Sequence, residues 1–135
     1  WGFGPKHVVE VLRRVKGPFN ISSVGQQVAA VAIKDTEYVD KCRNDNFELR
    51  RQLAEALREI SIASDRSFTN FLLLRFPNTN LAKLADLFLI KKGIIVRNVS
   101  NYGLNNCLRV SVGTSSDCEK LIENLTEFQE INHAI

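Results

Sequence analysis

Methionine is absent from this chain of 135 residues, which opens on Trp1 in an apolar Trp-Gly-Phe-Gly stretch. A translation start supplies methionine, and a natural N-terminus is seldom strand-like and apolar. The expectation is therefore a portion of a longer chain. Long apolar runs are also missing. No stretch reaches the roughly 18 residues of a membrane-spanning helix, and no leader pattern appears, so neither a membrane partner nor export is expected. Cysteine is sparse. Cys42, Cys107 and Cys118 are an odd number without Cys-x-x-Cys spacing, which argues against a disulfide frame or a zinc site and for reduced thiols in a cytoplasmic protein. His7 and His133 fall in different predicted helices, with no Ser or Cys signature beside either. No metal-ligand cluster, P-loop or Gly-x-Gly-x-x-Gly is present. The net charge of +3 is mild and the basic residues are scattered, so nucleic acid is not an expected partner. There are no internal repeats and no low-complexity tract.

Hydrophobic residues make up 44% of the chain and charged residues 24%, ordinary values for one packed domain or a piece of a larger one. Pro5 fits the first turn of a helix whose Val8, Val11, Leu12 and Val15 follow the i, i+3, i+4, i+7 rule, ending at Gly17-Pro18. Ser23 and Gln26 read as a capping box for a second helix, Gln26 to Lys34, apolar almost all round and so expected to be buried. Asp35 or Thr36 caps a long helix from Glu37 to Ile60, with a kink or break expected around Asn44 to Asn46. Its Arg50 and Arg51 read as solvated face. After a polar connection, Ser67 to Phe76 reads as a strand apolar on both sides, hence central in a small sheet. Asn70 stands out there as an amide needing partners if buried. Thr79 or Asn80 caps a helix with Leu81, Leu84, Ala85 and Phe88 inward, and Gly93 is its expected C′ residue. Ser116 and Glu119 read as the capping box of a last helix, whose stripe is Cys118, Leu121, Ile122, Leu125 and Phe128. Residues from Gln129 onward are expected to fray.

Between those last two helices lies GIIVRNVSNYGLNNCLRVSVGT, Gly93 to Thr114. It reads as two short strands joined by a polar loop, with one arginine on each. Alternation puts Arg109 on the face away from Leu108, Val110 and Val112. If the strands pair, Arg97 and Arg109 converge on one anion, a task suited to the planar, permanently charged guanidinium fork. The other reading is two arginines on the solvated face of a small sheet, the commoner fate of surface charge. The order strand, helix, strand, strand, helix predicts an α+β unit: a small, mainly antiparallel sheet covered by helices on one face.

LRVSVGT after a GIIVR strand resembles the C-terminal part of the histidinol-phosphate aminotransferases, fold-type-I, class II-subgroup enzymes that use pyridoxal phosphate. RVKGPFNISSVGQQVAAVAIKD (Arg14 to Asp35) and TNFLLLRF (Thr69 to Phe76) agree in the same order, so the resemblance covers nearly the whole chain. It implies that residues 1–34 end a large cofactor-binding domain, 35–61 link, and 62–135 form the small C-terminal domain. It implies that Arg109 binds the α-carboxylate of the donor glutamate and that Arg97 joins it on the phosphate of histidinol phosphate. It also places Asn20 near the active-site mouth, while the residues alone read Asn20 as a turn former. Asn70 reads either as a satisfied structural amide or as a residue at the substrate end of its strand. No catalytic residue and no cofactor-binding residue is expected within this chain. The Schiff-base lysine and the arginine for the cofactor phosphate are implied upstream of Trp1, so the chain alone is expected to be inactive. The whole enzyme is implied to be a homodimer acting on small phosphate- and carboxylate-bearing substrates in histidine biosynthesis. Another aminotransferase or a decarboxylase of the same superfamily, or a free-standing non-catalytic ligand-binding module, are the alternatives.

Overall fold

The computed structural model describes residues 3–133. It contains helices α1 (Lys6–Val15), α2 (Ser23–Ala32), α3 (Thr36–Glu59), α4 (Thr79–Lys91) and α5 (Ser115–His133). The strands are β1 (Ala63–Ser64), β2 (Phe71–Arg75), β3 (Arg97–Asn98) and β4 (Cys107–Ser111). The chain divides within α3 into two compact units, one ending at Asp40 and one beginning at Lys41. Among the described residues no helix is long and apolar enough to cross a membrane.

In the first unit, Pro5 is the N-cap of α1. α2 is capped by Ser22 rather than Ser23: the Ser22 Oγ accepts from the Gly25 N–H at 3.1 Å, while the Gln26 amide donates to the Ile21 carbonyl. The choice between adjacent serines is made by backbone, since Ser22 has the extended conformation a cap requires. The expected burial of α2 does not occur within this unit. Val24, Val28 and Val31 are all more than half exposed, as are Val11, Leu12 and Val15 on α1. Of the strand end expected over Trp1 to Gly4, Phe3 and Gly4 are not in a strand, and Trp1 and Gly2 lie outside the described residues.

The second unit is an α+β layer pair. Its four-stranded sheet has the order β1-β2-β4-β3, and every pairing is antiparallel. β2 is an inner strand, as its two apolar faces predict. One sheet face sends Leu72, Leu74, Leu108 and Val110 into a core shared with Leu53 and Leu57 of α3, Ala82, Ala85 and Leu89 of α4, and Leu121, Leu125 and Phe128 of α5. The Phe128 ring packs edge-on to Phe76 and tilted against Phe88.

Several boundaries differ from the sequence reading, each for a local reason. α3 runs through Asn44–Asn46 without a break. Asn46 and Arg50 there donate to the Thr69 carbonyl, Arg50 at 2.6 Å, so Arg50 ties the helix to the bend before β2 instead of facing solvent only. That bend shortens the predicted strand: the Ser67 hydroxyl donates to the Phe71 carbonyl at 2.6 Å and accepts from the Thr69 N–H, so residues 67–70 turn. Asn78 caps α4, one residue before the predicted pair, and Leu84 points outward while Ala82 takes the inward place. The α5 box is Thr114 with Asp117, not Ser116 with Glu119: Asp117 Oδ2 accepts from the Thr114 N–H and hydroxyl, and Thr114 Oγ1 accepts from the Asp117 N–H. Gly113 allows that fold-back, because a Cβ there would stand 2.7 Å from the Asp117 Cβ. α5 does not fray at Gln129, whose amide donates to the Ile60 carbonyl.

Both long helices that enter the sheet end in the same geometry. At α4, the Gly93 N–H reaches the Ile90 carbonyl and the Ile94 N–H reaches Leu89, with Gly93 at φ +76°, the glycine role the sequence announces. At α3, Ser61 N–H reaches Arg58 and Ile62 N–H reaches Leu57, with Ser61 at φ +61°. Ile62 and Leu57 are both buried, which supplies the apolar contact of this motif and holds a serine where glycine is normal.

Two outcomes follow for stability. Gly93→Ala meets no atom within 4 Å, so its cost is the left-handed backbone alone, about 1–2 kcal/mol, whereas Ser61→Gly relieves that strain and stabilises by about 0.5–1 kcal/mol after the added freedom of the unfolded chain. Urea midpoints of the two variants, moving in opposite directions, check this. The Asp117 carboxyl is held below its ordinary value by the hydrogen bonds from Thr114. A lowered folded-state pKa contributes stability that is present above the unfolded carboxylate value, about 3.9, and disappears as pH falls through the lower folded value. The stability difference between the unaltered chain and Asp117→Asn is therefore constant near neutrality and closes in the acid limb below about pH 4. Unfolding midpoints taken along that pH series measure it.

Candidate functional site

β4 lies between β2 and β3, and its register fixes which side chains share a face. Arg109 stands directly opposite Arg97 on β3 and opposite Leu73 on β2. Opposed residues of an antiparallel ladder project to the same side. Arg97, Arg109 and Leu73 thus form one row on the open face, while Leu108 and Val110 go to the core, the alternation expected from the sequence. Arg109 is half-buried and Arg97 is exposed.

Two guanidinium groups directly across a ladder repel, and such pairs are destabilising unless a countercharge intervenes. Among the described residues neither arginine has a carboxylate partner. Aromatic groups hold them instead. The Arg109 Cζ lies 4.9 Å from the centre of the Phe71 ring. Arg97 Nη2 donates to the Tyr102 phenol oxygen at 3.2 Å. The Arg109 Nε is buried and has no hydrogen-bond partner among the described residues. A buried donor left unpaired costs about 1–3 kcal/mol, so an acceptor delivered to this row by a ligand recovers a deficit already present.

Arg75, on the same face one pair along, shows how a structural arginine there is satisfied. Its Nε and Nη2 each donate to Asp65 at 2.7 Å, and its Nη1 lies 3.6 Å from the Cys107 sulfur. The Arg75 fork holds the Asp65 carboxyl below the usual carboxylate range. Arg75 is neutralised; its neighbours in the next row are not.

An open cleft of 540 Å³ adjoins the two arginines, where residues 94–96 run beside the end of β4 without pairing. Ile95, Ser111 and Asp117 also line it, and the Asp117 carboxylate is engaged by Thr114. A larger concavity of 690 Å³ lies between α3 and β1. Its Arg51 and Arg58 are paired with Glu48 and Glu55, so it presents no free cation to an anion.

Of the four residues singled out from sequence, the fold brings Arg97 and Arg109 together. Asn70 is exposed in the bend before β2, with its carbonyl accepting from the Val112 N–H, so it is not the buried amide the strand reading implied. Asn20 is exposed in the coil between α1 and α2, in the other unit. Phe71 and Tyr102 were missed. Phe71 shares the alternating face of Leu73 and Arg75, and only the β2–β4 register reveals that it lies under Arg109. Tyr102 is an aromatic residue in an otherwise polar loop between the arginines, the one signal that could have found it.

Among the described residues no lysine stands on a strand of the sheet. Lys6, Lys41, Lys83, Lys91 and Lys120 lie within helices, and Lys16, Lys34 and Lys92 in the turns that end them. Lys92 is further held by Glu127 at 2.7 Å. Among the described residues no group of His, Cys, Asp and Glu could hold a metal ion.

The sequence profile described as aminotransferase class I and II matches residues 1–125. A histidinol-phosphate aminotransferase of Cereibacter sphaeroides is 42% identical over 131 residues, which is 97% of this chain and 36% of that protein. One of Paracoccus denitrificans is 40% identical over 128 residues, 95% of this chain and 35% of that protein. The chain thus spans about a third of the length of the curated relatives it matches. Among solved structures, histidinol-phosphate aminotransferase from Sinorhizobium meliloti in complex with pyridoxal-5′-phosphate superposes with a TM-score of 0.81 at 21% identity, over 92% of this chain and 34% of that one. A decarboxylase from Sulfurospirillum multivorans gives 0.77 at 19% identity, over 91% of this chain and 36% of that one. The structural likenesses fix the fold, fold-type-I aminotransferase, and the profile and the curated relatives fix the rest: this chain belongs to the class I and II aminotransferase family.

Proposed function

We propose that the chain is the C-terminal part of a histidinol-phosphate aminotransferase and that Arg97 and Arg109 form its substrate clamp. The observation that carries this reading is the row of two uncompensated guanidinium groups, one with a buried donor lacking an acceptor. An aminotransferase must accept two anions in turn at one site. Arg109, central and backed by Phe71, takes the α-carboxylate of glutamate. Arg97 joins it when the phosphate of histidinol phosphate arrives, because a phosphate presents more oxygens and more charge than one fork satisfies. The homologues at about 40% identity support the substrate pair.

In this reading residues 1–34 end the large domain, residues 35–61 link, and residues 62–135 form the small domain. Pyridoxal phosphate supplies the electron sink that amino transfer requires. The lysine it needs lies in the part of the relatives that this chain does not span, and this chain alone is inactive. The exposed valines of α1 and α2 are covered by that remaining part, and the whole enzyme is a cytoplasmic homodimer. Asn70 stands at the margin of the substrate site, and a substrate role for Asn20, in the other unit, rests on the family resemblance alone.

The test is kinetic, on the full-length enzyme. Arg109→Ala lowers kcat/KM for both half-reactions by about 10- to 100-fold, the worth of a charge-assisted bidentate contact of about 1.5–3 kcal/mol. Arg97→Ala falls most heavily on histidinol phosphate. Unaltered affinity for the phosphate-bearing substrate in both variants removes the clamp assignment. Release of carbon dioxide without amino transfer moves the protein to the sister decarboxylases.

A further inference from the structure

We propose that Tyr102 is a positioning residue for Arg97 and, through it, gives the site its preference for a phosphate monoester over a simple carboxylate; this rests on the two-arginine clamp. The two guanidinium groups are supported unequally. Arg109 belongs to an inner strand and lies over a ring carried by the next strand, Phe71. Arg97 belongs to a two-residue edge strand, is exposed, and must hold its place opposite a like charge. Among the described residues its side chain has one hydrogen bond, from Nη2 to the Tyr102 oxygen.

The loop is built to return that ring to the strand it has just left. Asn98 Oδ1 accepts from the Ser100 N–H at 2.9 Å, which ends β3 and starts a single 3-10 turn over Ser100–Tyr102. Val99 is buried and anchors the turn. The Tyr102 and Gly103 N–H groups close on the Val99 and Ser100 carbonyls, and Gly103 leaves the turn at φ +78°. The phenol therefore stands beside the guanidinium by backbone design, five residues after it.

The chemistry of that contact is directional. An arginine donates and never accepts, so the phenol oxygen is the acceptor and its own proton is directed elsewhere. A carboxylate bound at Arg109 has no need of that contact. A phosphate monoester, with close to two charges and three terminal oxygens, takes N–H groups from both arginines and so depends on the placement that the phenol gives Arg97. Tyr102 thus acts on the phosphate-bearing substrate and is silent toward the carboxylate donor.

The experiment uses the full-length aminotransferase with Tyr102→Phe, which keeps the ring and removes the oxygen. The expected result is a KM for histidinol phosphate raised about three- to tenfold, with kcat and the KM for glutamate changed by less than about twofold; one solvent-exposed hydrogen bond accounts for that size. Competitive inhibition by inorganic phosphate weakens in parallel. In an Arg97→Ala background, Tyr102→Phe adds nothing further, because the phenol acts through the arginine. Equal rises in both KM values, or additive losses in the double variant, overturn the proposal. Arg97→Ala raising the histidinol phosphate KM while Tyr102→Phe does not removes the role of Tyr102 and leaves the clamp standing. An Arg97→Ala enzyme with unchanged affinity for histidinol phosphate removes the clamp itself.

Discussion

The pairing of β4 with both its neighbours is the constraint on which the site depends. A strand has a side-chain period of two, so Leu108 and Val110 in the core and Arg109 on the open face are a single decision. A slip of one residue would bury a guanidinium and expose two leucine-class side chains, which no local rearrangement repairs. The register is fixed from several directions. Asn106 donates through its amide to the Phe76 carbonyl while its own carbonyl accepts from the Phe76 N–H, closing the ladder beyond the end of β2. At the other end the Val112 N–H reaches the Asn70 carbonyl. Because the core side is sealed by α3, α4 and α5, the placement of the arginine row follows from hydrophobic packing and does not rely on attraction between the arginines, which is absent.

The same packing explains why the site tolerates poor electrostatics. Arg75 and Asp65 neutralise one another a pair away, and Lys92 and Glu127 do so across α4 and α5. Those pairs are partly solvated and contribute little each. What they do is consume the acidic groups near the sheet. Asp117, the remaining carboxylate at the cleft, is occupied with the α5 N-terminus. Among the described residues Arg97 and Arg109 are left on that face with no internal countercharge, a state that is poor for folding and leaves both forks open to an anion.

Much of this was legible in the residues. The stripe of α5, the inner position of β2 and the outward turn of Arg109 follow from periodicity, and the glycine after α4 from its place just past the last periodic residue. Caps and strand ends were less legible. At Ser22 against Ser23, at Asn78 against Thr79, and at Thr114 against Ser116, residues one or two positions apart each offer a capping oxygen, and backbone angles that the sequence does not display choose between them. Ser61 was invisible for the opposite reason: it occupies a glycine role by virtue of the buried Leu57–Ile62 contact. The strand expected to begin at Ser67 is turned over residues 67–70 by the Ser67 hydroxyl, a local hydrogen bond that competes with the ladder and leaves no mark in hydropathy. Phe71 and Tyr102 were hidden because their importance is relational. Neither is unusual alone, and each matters through the arginine beside it.

Folding and ligand binding are coupled in such an arrangement. The folded unit holds two like charges opposite one another and leaves the Arg109 Nε without a partner, whereas the unfolded chain hydrates both arginines separately. An anion that binds the assembled row has no comparable site in the unfolded chain, so it stabilises the fold by RT ln(1 + [L]/Kd), about 2.7 kcal/mol at a hundredfold excess over Kd. The exposed charge of Arg97 makes the unliganded repulsion sensitive to salt, while the buried Nε of Arg109 is not screened. Salt therefore removes part of the deficit, and only an acceptor reaching the buried nitrogen removes the rest. That difference separates a shaped anion site from a surface that is merely basic.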